Sequence, residues 1–322
     1  LNPNNHSDYI IGLDLGGTKL LGVLVNPAGE IKARLQVPSP RGNDHLVQGV
    51  TDFIATLMQA AAEMNIHPVG ISIGAPGFID SEHGVMVSAD NLAVTDLPMA
   101  RPIQEKFNVP TKIFHDVRSA TMGEAHYGAG QGMKHFALLN IGTGVAVGLY
   151  LDGRLYHGAR NQSGEIGHLA IAAVGPGRPV PDDSRLEYLT SGPAIVRRAV
   201  AHLADHPESL VARLAGQNPA YVTAQIIQDA ASEGDAYALQ LIAETADYLG
   251  MAISSMLDVL SLEAVILAGG ISYMGDLLVK PLEASIARYA IEPIPVFQTR
   301  VGRDLGALGA AASFFFSGET VC

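Results

Sequence analysis

Three glycine-bearing loops mark places where a backbone could grip an anion: Asp14-Leu15-Gly16-Gly17-Thr18-Lys19, Asn140-Ile141-Gly142-Thr143-Gly144 and Gly269-Gly270. Each follows a short apolar run, and glycine lets backbone N–H groups come close to an anion with no side chain in the way, so the chemistry that suits them is a phosphate cradle. A P-loop would need G-x-x-x-x-G-K-[ST], and a dinucleotide site would need G-x-G-x-x-G opening a helix; here the loops turn back into strand-like sequence. A lone Asp-Leu-Gly-Gly-Thr is equally a tight hairpin. Three such loops in one chain favour phosphate.

The elements that must hold these loops follow from periodicity. Strand-like runs at 9–13, 20–25 and 31–37 form a meander, with Asn26-Pro27-Ala28-Gly29-Glu30 as turn chemistry. The design returns at 136–151, closing on Asp152-Gly153. An offset of 126 residues, the distance from position 14 to position 140, carries Asp14 onto Asn140, Gly16 onto Gly142 and Gly22 onto Gly148. This registration suggests a duplicated α/β lobe, chance likeness of two glycine-rich hairpins being the alternative. Helices are expected at 44–65, 118–127, 193–215, 223–231, 235–260 and 304–316, with a strand at 264–268 before Gly269. The pattern predicts two α/β lobes with a cleft between them, at 1–117 plus 303–322 and at 118–302.

Composition narrows the function classes. At 322 residues the chain exceeds what one hydrophobic core usually serves, and with 48% apolar and 16% charged residues it has the material for two. No apolar stretch is long enough to cross a membrane and the polar start does not read as a signal peptide, so a cytoplasmic protein is expected. A net charge of −12 with scattered Lys and Arg argues against nucleic acid as a partner. The single cysteine, Cys322, rules out an intramolecular disulfide framework and a cysteine-based zinc site.

Taken in order, Asp14-Leu15-Gly16-Gly17-Thr18-Lys19, Gly74-Ala75-Pro76-Gly77-Phe78-Ile79-Asp80, His115-Asp116 with Gly123-Glu124, Gly142-Thr143-Gly144, Gly164-Glu165-Ile166-Gly167-His168, Glu187 with Ser191-Gly192, and Ala268-Gly269-Gly270 resemble the ROK family of bacterial glucokinases and their relatives. The likeness runs from Ile10 to Ala311. It implies an actin-like, RNase-H-like two-lobed ATPase fold, transfer of the ATP γ-phosphoryl group to a hydroxyl of a free hexose, and a homodimer. It implies Asp116 as the base that accepts the hydroxyl proton, and an N-cap for the helix expected from Arg118 is a second role for that residue. Asp14 would hold Mg²⁺ directly or through water, or else form an Asx turn. Gly16, Gly17, Thr18, Lys19, Gly142, Thr143 and Gly144 would contact the phosphates of ATP, and Gly269 and Gly270 would pass beside the nucleoside. Glu165, His168 and Glu187 match the family's sugar ligands, with Gly77 as a backbone contact and His115 beside the base. Glu165 and His168 also have the i, i+3 spacing of an ordinary surface pair.

Two departures from the family pattern matter. Where many members carry zinc-binding cysteines, the interval 169–186 has none, so no structural zinc is expected; Gly175-Pro176-Gly177-Arg178-Pro179-Val180-Pro181 would stiffen the loop instead, with Asp182 and Asp183 solvated. Next to the base the family usually has Asn and this chain has His115, which offers one donor and one acceptor when neutral and shifts the expected sugar choice. Glucose-like hexoses come first, with polyphosphate as an alternative donor. A sugar-sensing regulator is the second reading. It is disfavoured because family repressors carry a DNA-binding segment ahead of this part, and here about eight residues precede the first strand. A general actin-like or acetate-kinase-like ATPase is the third, and it gives no reason for the segment from Gly164 to His168.

Overall fold

The computed structural model describes residues 8–171 and 180–316. The chain divides into two compact units: one holds the residues up to Met133, Tyr150–Leu155 and the chain from Thr299 onward, the other Lys134–Leu149 and Tyr156–Gln298.

The first unit is built on β1 (Ile10–Leu15), β2 (Lys19–Val25), β3 (Ile31–Pro38), β4 (Ile71–Ala75) and β8 (Thr111–His115), in the order β3-β2-β1-β4-β8. A small second sheet joins β5 (Phe78–Asp80), β6 (Val85–Ala89) and β7 (Val94–Pro98). Apolar residues continue without alternation through β1 and β2 because both faces of the sheet are covered. Ile11, Leu13, Leu15, Leu20 and Leu24 pack against Leu46, Val50, Phe53, Ile54 and Leu57 of helix Asn43–Glu63. Ile10, Leu21, Val23 and Val25 meet Ala307, Leu308, Ala311, Phe314 and Phe315 of helix Leu305–Phe315 on the other side. At the sheet edge, β3 alternates half-buried and exposed residues along its whole length.

The second unit repeats the plan. Its sheet holds β9 (Phe136–Ile141), β10 (Val145–Leu151), β12 (Ala264–Ala268) and β13 (Val296–Gln298) in a strand order β11-β10-β9-β12-β13, of which β11 (Arg154–Leu155) and the last two residues of β10 are counted with the first unit. Asp14 pairs in register with Gly74 on parallel β4, and Asn140 with Ala268 on parallel β12. The 126-residue offset therefore connects topologically equivalent positions at the carboxyl ends of equivalent central strands.

Several expectations change. The helix expected at 193–215 is two helices, Gly192–Ala201 and Leu210–Leu214, because Pro207 lacks an N–H and disfavours helical conformation at His206 before it. Ser209 restarts the helix by accepting the Ala212 N–H at 3.1 Å. The helix Asp276–Tyr289 escaped the sequence pattern, since Pro281 lies inside it. The helix expected from Arg118 begins at Asp116, with His115 as its N-cap residue. The division between units also differs from the expected boundary at 117/118, because helix Asp116–Tyr127 packs on helix Leu305–Phe315 within the first unit. The proposed stiffening of 175–181 falls mostly on residues 172–179, outside the described residues.

That helix pair depends on glycine. A Cβ at Gly309 would collide with the backbone carbonyl of Ser119, one at Gly12 with the carbonyl of Ala307, and one at Gly123 would stand 3.1 Å from the Gly309 Cα. At the far end of helix Asp116–Tyr127, buried Glu124 accepts the Ala129 N–H at 2.7 Å and the Thr299 hydroxyl. Its carboxyl thereby binds the chain shortly before it first leaves the first unit and again at Thr299, where it returns for the last time. Burial raises the Glu124 carboxyl above the usual carboxylate range. On an exposed helix, Gly309→Ala would stabilise by about 1 kcal/mol. Here the backbone collision reverses the sign, and urea unfolding of the variant is expected to show a loss of about 1–3 kcal/mol; a gain would mean the helices can separate at little cost.

Candidate active site

In the first unit the residues singled out by sequence gather at the carboxyl ends of β1 and β8. The loop between β1 and β2 is closed by the Gly16 N–H donating to the Lys19 carbonyl at 3.0 Å. Ser39 braces it from outside: its hydroxyl donates to the Gly16 carbonyl at 2.6 Å, and its N–H donates to the Thr18 carbonyl at 3.1 Å. Thr18 and Lys19 stay exposed. Gly77 sits at φ +87°, and a Cβ there would collide with the Ser88 carbonyl, so the small sheet itself demands this glycine. Asp80 from the same motif closes the next turn, accepting the N–H groups of Glu82 and His83 at 3.1 Å each.

The electrostatics of this cluster centre on two carboxylates. Asp14 is pushed up to about 6, first by burial and then by the negative charge of Asp116, with Lys19 pulling the other way. The approach of helix Leu305–Phe315 contributes, since a Cβ at Gly306 would overlap the Asp14 carboxyl. Asp116 is about one-third exposed, at 32% of its side chain. Its Oδ1 accepts the Val117 N–H at 2.7 Å and lies 3.3 Å from Nδ1 of His115. An acid beside an imidazole, with a second acid desolvated behind it, can accept a proton or bind a hard cation.

In the second unit, β10 is the organising strand. The Gly164-Glu165-Ile166-Gly167-His168 segment lies along it, with the Val147 N–H donating to the Gly164 carbonyl at 2.8 Å. Gly164 is at φ +92°, and a Cβ on it would collide with the Val147 carbonyl; a Cβ on Gly167 would stand 2.5 Å from the Val145 carbonyl. Glu187 accepts the Val145 N–H at 2.9 Å. Backbone bonds from Leu186 N–H to the Leu169 carbonyl, 2.9 Å, and from Ile171 N–H to the Ser184 carbonyl, 2.8 Å, bring the segments of His168 and Glu187 side by side. The side chains of Glu165, His168 and Glu187 are exposed. Asp182 faces Arg185 at 3.4 Å, while Asp183 is exposed.

The second glycine loop stands at the carboxyl end of β9, closed by the Gly142 N–H donating to the Gly144 carbonyl at 2.9 Å. The Gly192 N–H, at the start of helix Gly192–Ala201, donates to the Gly142 carbonyl at 2.8 Å. Gly269, at φ +85°, passes so close to Ile141 that a Cβ would overlap its backbone. Gly142, Thr143, Gly144, Gly269 and Gly270 thus converge at the strand ends, where α/β sheets bind ligands. Sequence reasoning missed Ser39 and Gly306. The small-residue run Gly306-Ala307-Leu308-Gly309-Ala310 carried a signal for close helix packing, whereas Ser39 carried none. Among the described residues, no group of three or more His, Cys, Asp or Glu is placed to hold a metal ion.

Comparison with known proteins places the chain in a family. The pattern of the ROK family matches residues 10–314. A glucokinase from Halalkalibacterium halodurans is 31% identical over 309 residues, covering 94% of this chain and 93% of its own. A xylose repressor from Caldicellulosiruptor bescii is 27% identical over 288 residues, 89% of this chain and 72% of the repressor. The crystal structure of a ROK family glucokinase from Streptomyces griseus in complex with glucose and AMPPNP matches with a TM-score of 0.80 at 26% identity, covering 94% of this chain and 98% of that one. With the family pattern extending over nearly all of the sequence and both glycine loops at equivalent strand ends, the chain belongs to the ROK family.

Proposed function

We propose that this protein is a sugar kinase that transfers the γ-phosphoryl group of ATP to a hydroxyl of a free hexose, glucose first among the candidates. The observation that carries the reading is the arrangement of Asp116. One of its carboxylate oxygens is held by the Val117 N–H, and the side chain remains accessible beside the first glycine loop's Asp14. The similarity to glucokinases, one of them crystallised with glucose and an ATP analogue, supports the same reading.

On this reading Asp116 accepts the sugar hydroxyl proton through Oδ2 as the sugar oxygen bonds to the γ-phosphorus and the bond to the β-phosphate oxygen breaks, releasing ADP. Backbone N–H groups of Gly16, Gly17, Gly142 and Gly144, the hydroxyls of Thr18 and Thr143, and the Lys19 ammonium take up phosphate charge, and Gly269 and Gly270 flank the nucleoside. Glu165, His168, Glu187, His115 and the Gly77 backbone recognise sugar hydroxyls, whose loss is costly because each leaves unpaired a group that the bound sugar itself shields from water. Asp14 fits Mg²⁺: a desolvated carboxyl that already feels a second acid is stabilised by a dication. Mg²⁺ would offset the negative charge of the β- and γ-phosphates.

A second reading, a sugar-responsive regulator, draws support from the similarity to the xylose repressor. A coupled assay for ADP with ATP and a panel of free hexoses separates the two. Turnover on at least one sugar is expected; thermal shifts without turnover on any of them would favour the regulator.

Two substitutions probe the acids. Asp116→Asn should lower sugar-dependent ADP release by about a hundredfold or more, with sugar affinity by calorimetry little changed; retained turnover removes Asp116 from the role of base. Asp14 moves from 3.8 to about 6 on folding, so the native state holds its proton more tightly than the unfolded chain. The penalty is absent below the unfolded value, grows as pH rises between the two values, and is complete above about 6. Asp14→Asn should therefore raise the melting temperature of the ligand-free protein at about pH 8, and the gain should vanish by about pH 4. An equal gain at both would mean that buried charge is not its cause.

A further inference from the structure

His115 places its Nδ1 in a fully buried position with no hydrogen-bond partner, 3.3 Å from the Asp116 Oδ1. The side chain as a whole is 15% exposed, and Nδ1 is the only one of its two ring nitrogens among the fully buried, unpartnered atoms. A neutral imidazole carries one proton and one bare lone pair. If Nδ1 were bare, its lone pair would face a carboxylate oxygen at contact distance, with no donor between them. With the proton on Nδ1, the same approach is attractive, and a small rotation of either side chain completes an N–H···O bond. The Asp116 carboxylate is kept in place for this by the Val117 N–H on the same Oδ1.

We infer that Asp116 locks His115 as the Nδ1–H tautomer, which leaves Nε2 as an acceptor only and makes His115 a specificity-determining residue that selects for a hydroxyl able to donate. The inference rests on the sugar-kinase reading for its substrate, but its tautomer component stands on the protein alone. Asp116 then has two functions on its two oxygens: Oδ1 sets the polarity of the imidazole, and Oδ2 meets the hydroxyl under attack. A sugar position facing Nε2 must present an O–H. A C–F bond at that position cannot donate, and it would set fluorine against a bare lone pair.

The direct test is nitrogen-15 NMR of the imidazole in the ligand-free wild-type protein at neutral pH. His115 should show a protonated Nδ1 and a bare Nε2, and Asp116→Ala should move the proton toward Nε2. The functional test compares kcat/KM for glucose with that for monodeoxyfluoro-glucoses fluorinated at each carbon in turn. The carbon whose fluorination stops both wild type and His115→Asn marks the attacked hydroxyl. At one other carbon, fluorination should cost the wild type about tenfold or more, and His115→Asn, whose amide can donate, should remove most of that gap. A protonated Nε2 in the wild type, or a fluorine penalty that is the same in both proteins, overturns the inference. Failure of glucose and every other hexose to release ADP would strike the kinase reading instead, and the tautomer measurement would still decide this one.

Discussion

The first unit depends on how closely helix Leu305–Phe315 approaches β1 and helix Asp116–Tyr127. No side chain intervenes at Gly12, Gly123 or Gly309, so backbone meets backbone, and the Ser72 hydroxyl donates to the Ala310 carbonyl within the contact. Two consequences for the chemistry follow from this packing. The start of helix Leu305–Phe315 presses on the Asp14 carboxyl and desolvates it, and helix Asp116–Tyr127 brings a second acid within electrostatic reach. An interior that tolerated a methyl group at these contacts would hold the acids farther apart, with less electrostatic coupling between them.

The second unit solves a similar problem with different parts. Its equivalent of Asp14 is Asn140, which is uncharged, and the carboxylates come instead from Glu165 and Glu187. Here the constraint is the edge of β10. Its backbone groups at Val145 and Val147 are satisfied by the Glu187 carboxylate and by Gly164, so the same bonds that complete the sheet also fix the segments bearing the sugar-ligand candidates. Gly164 and Gly167 are therefore needed for backbone clearance as much as for any ligand. A motif can be specific to a family because of packing at one position and chemistry at the next.

Glu124 shows a different use of a buried acid. It has no place in the proposed reaction, yet its carboxylate joins the Ala129 amide to the Thr299 hydroxyl, two points far apart in sequence. On the other side of the same connection, Glu263 accepts the N–H groups of Lys134 and His135 at 2.7 and 2.9 Å. Each end of the segment 129–135 is thus anchored by a carboxylate, one buried and one exposed.

Local chemistry made much of this legible in the sequence. Glycine loops after apolar runs, the 126-residue repeat and the long amphipathic helices are short-range patterns, and they reappear as two hairpins, equivalent sheets and helices near the expected residues. The Gly269-Gly270 loop instead enters a 3-10 turn, Gly270–Met274, and the helix Asp276–Tyr289 and does not turn back into a strand. The strands Ile71–Ala75 and Thr111–His115 and the helix Asp276–Tyr289 did not stand out, the strands because short buried runs lack a period, the helix because Pro281 interrupts its signal. The sequence by itself determined which residues could do chemistry, since residue type and spacing are covalent facts. Only the tertiary structure decided the proton affinity of Asp14, the buried nitrogen of His115 that faces Asp116, and the backbone clearance that demands glycine at Gly309, because desolvation and steric exclusion depend on neighbours brought together by folding.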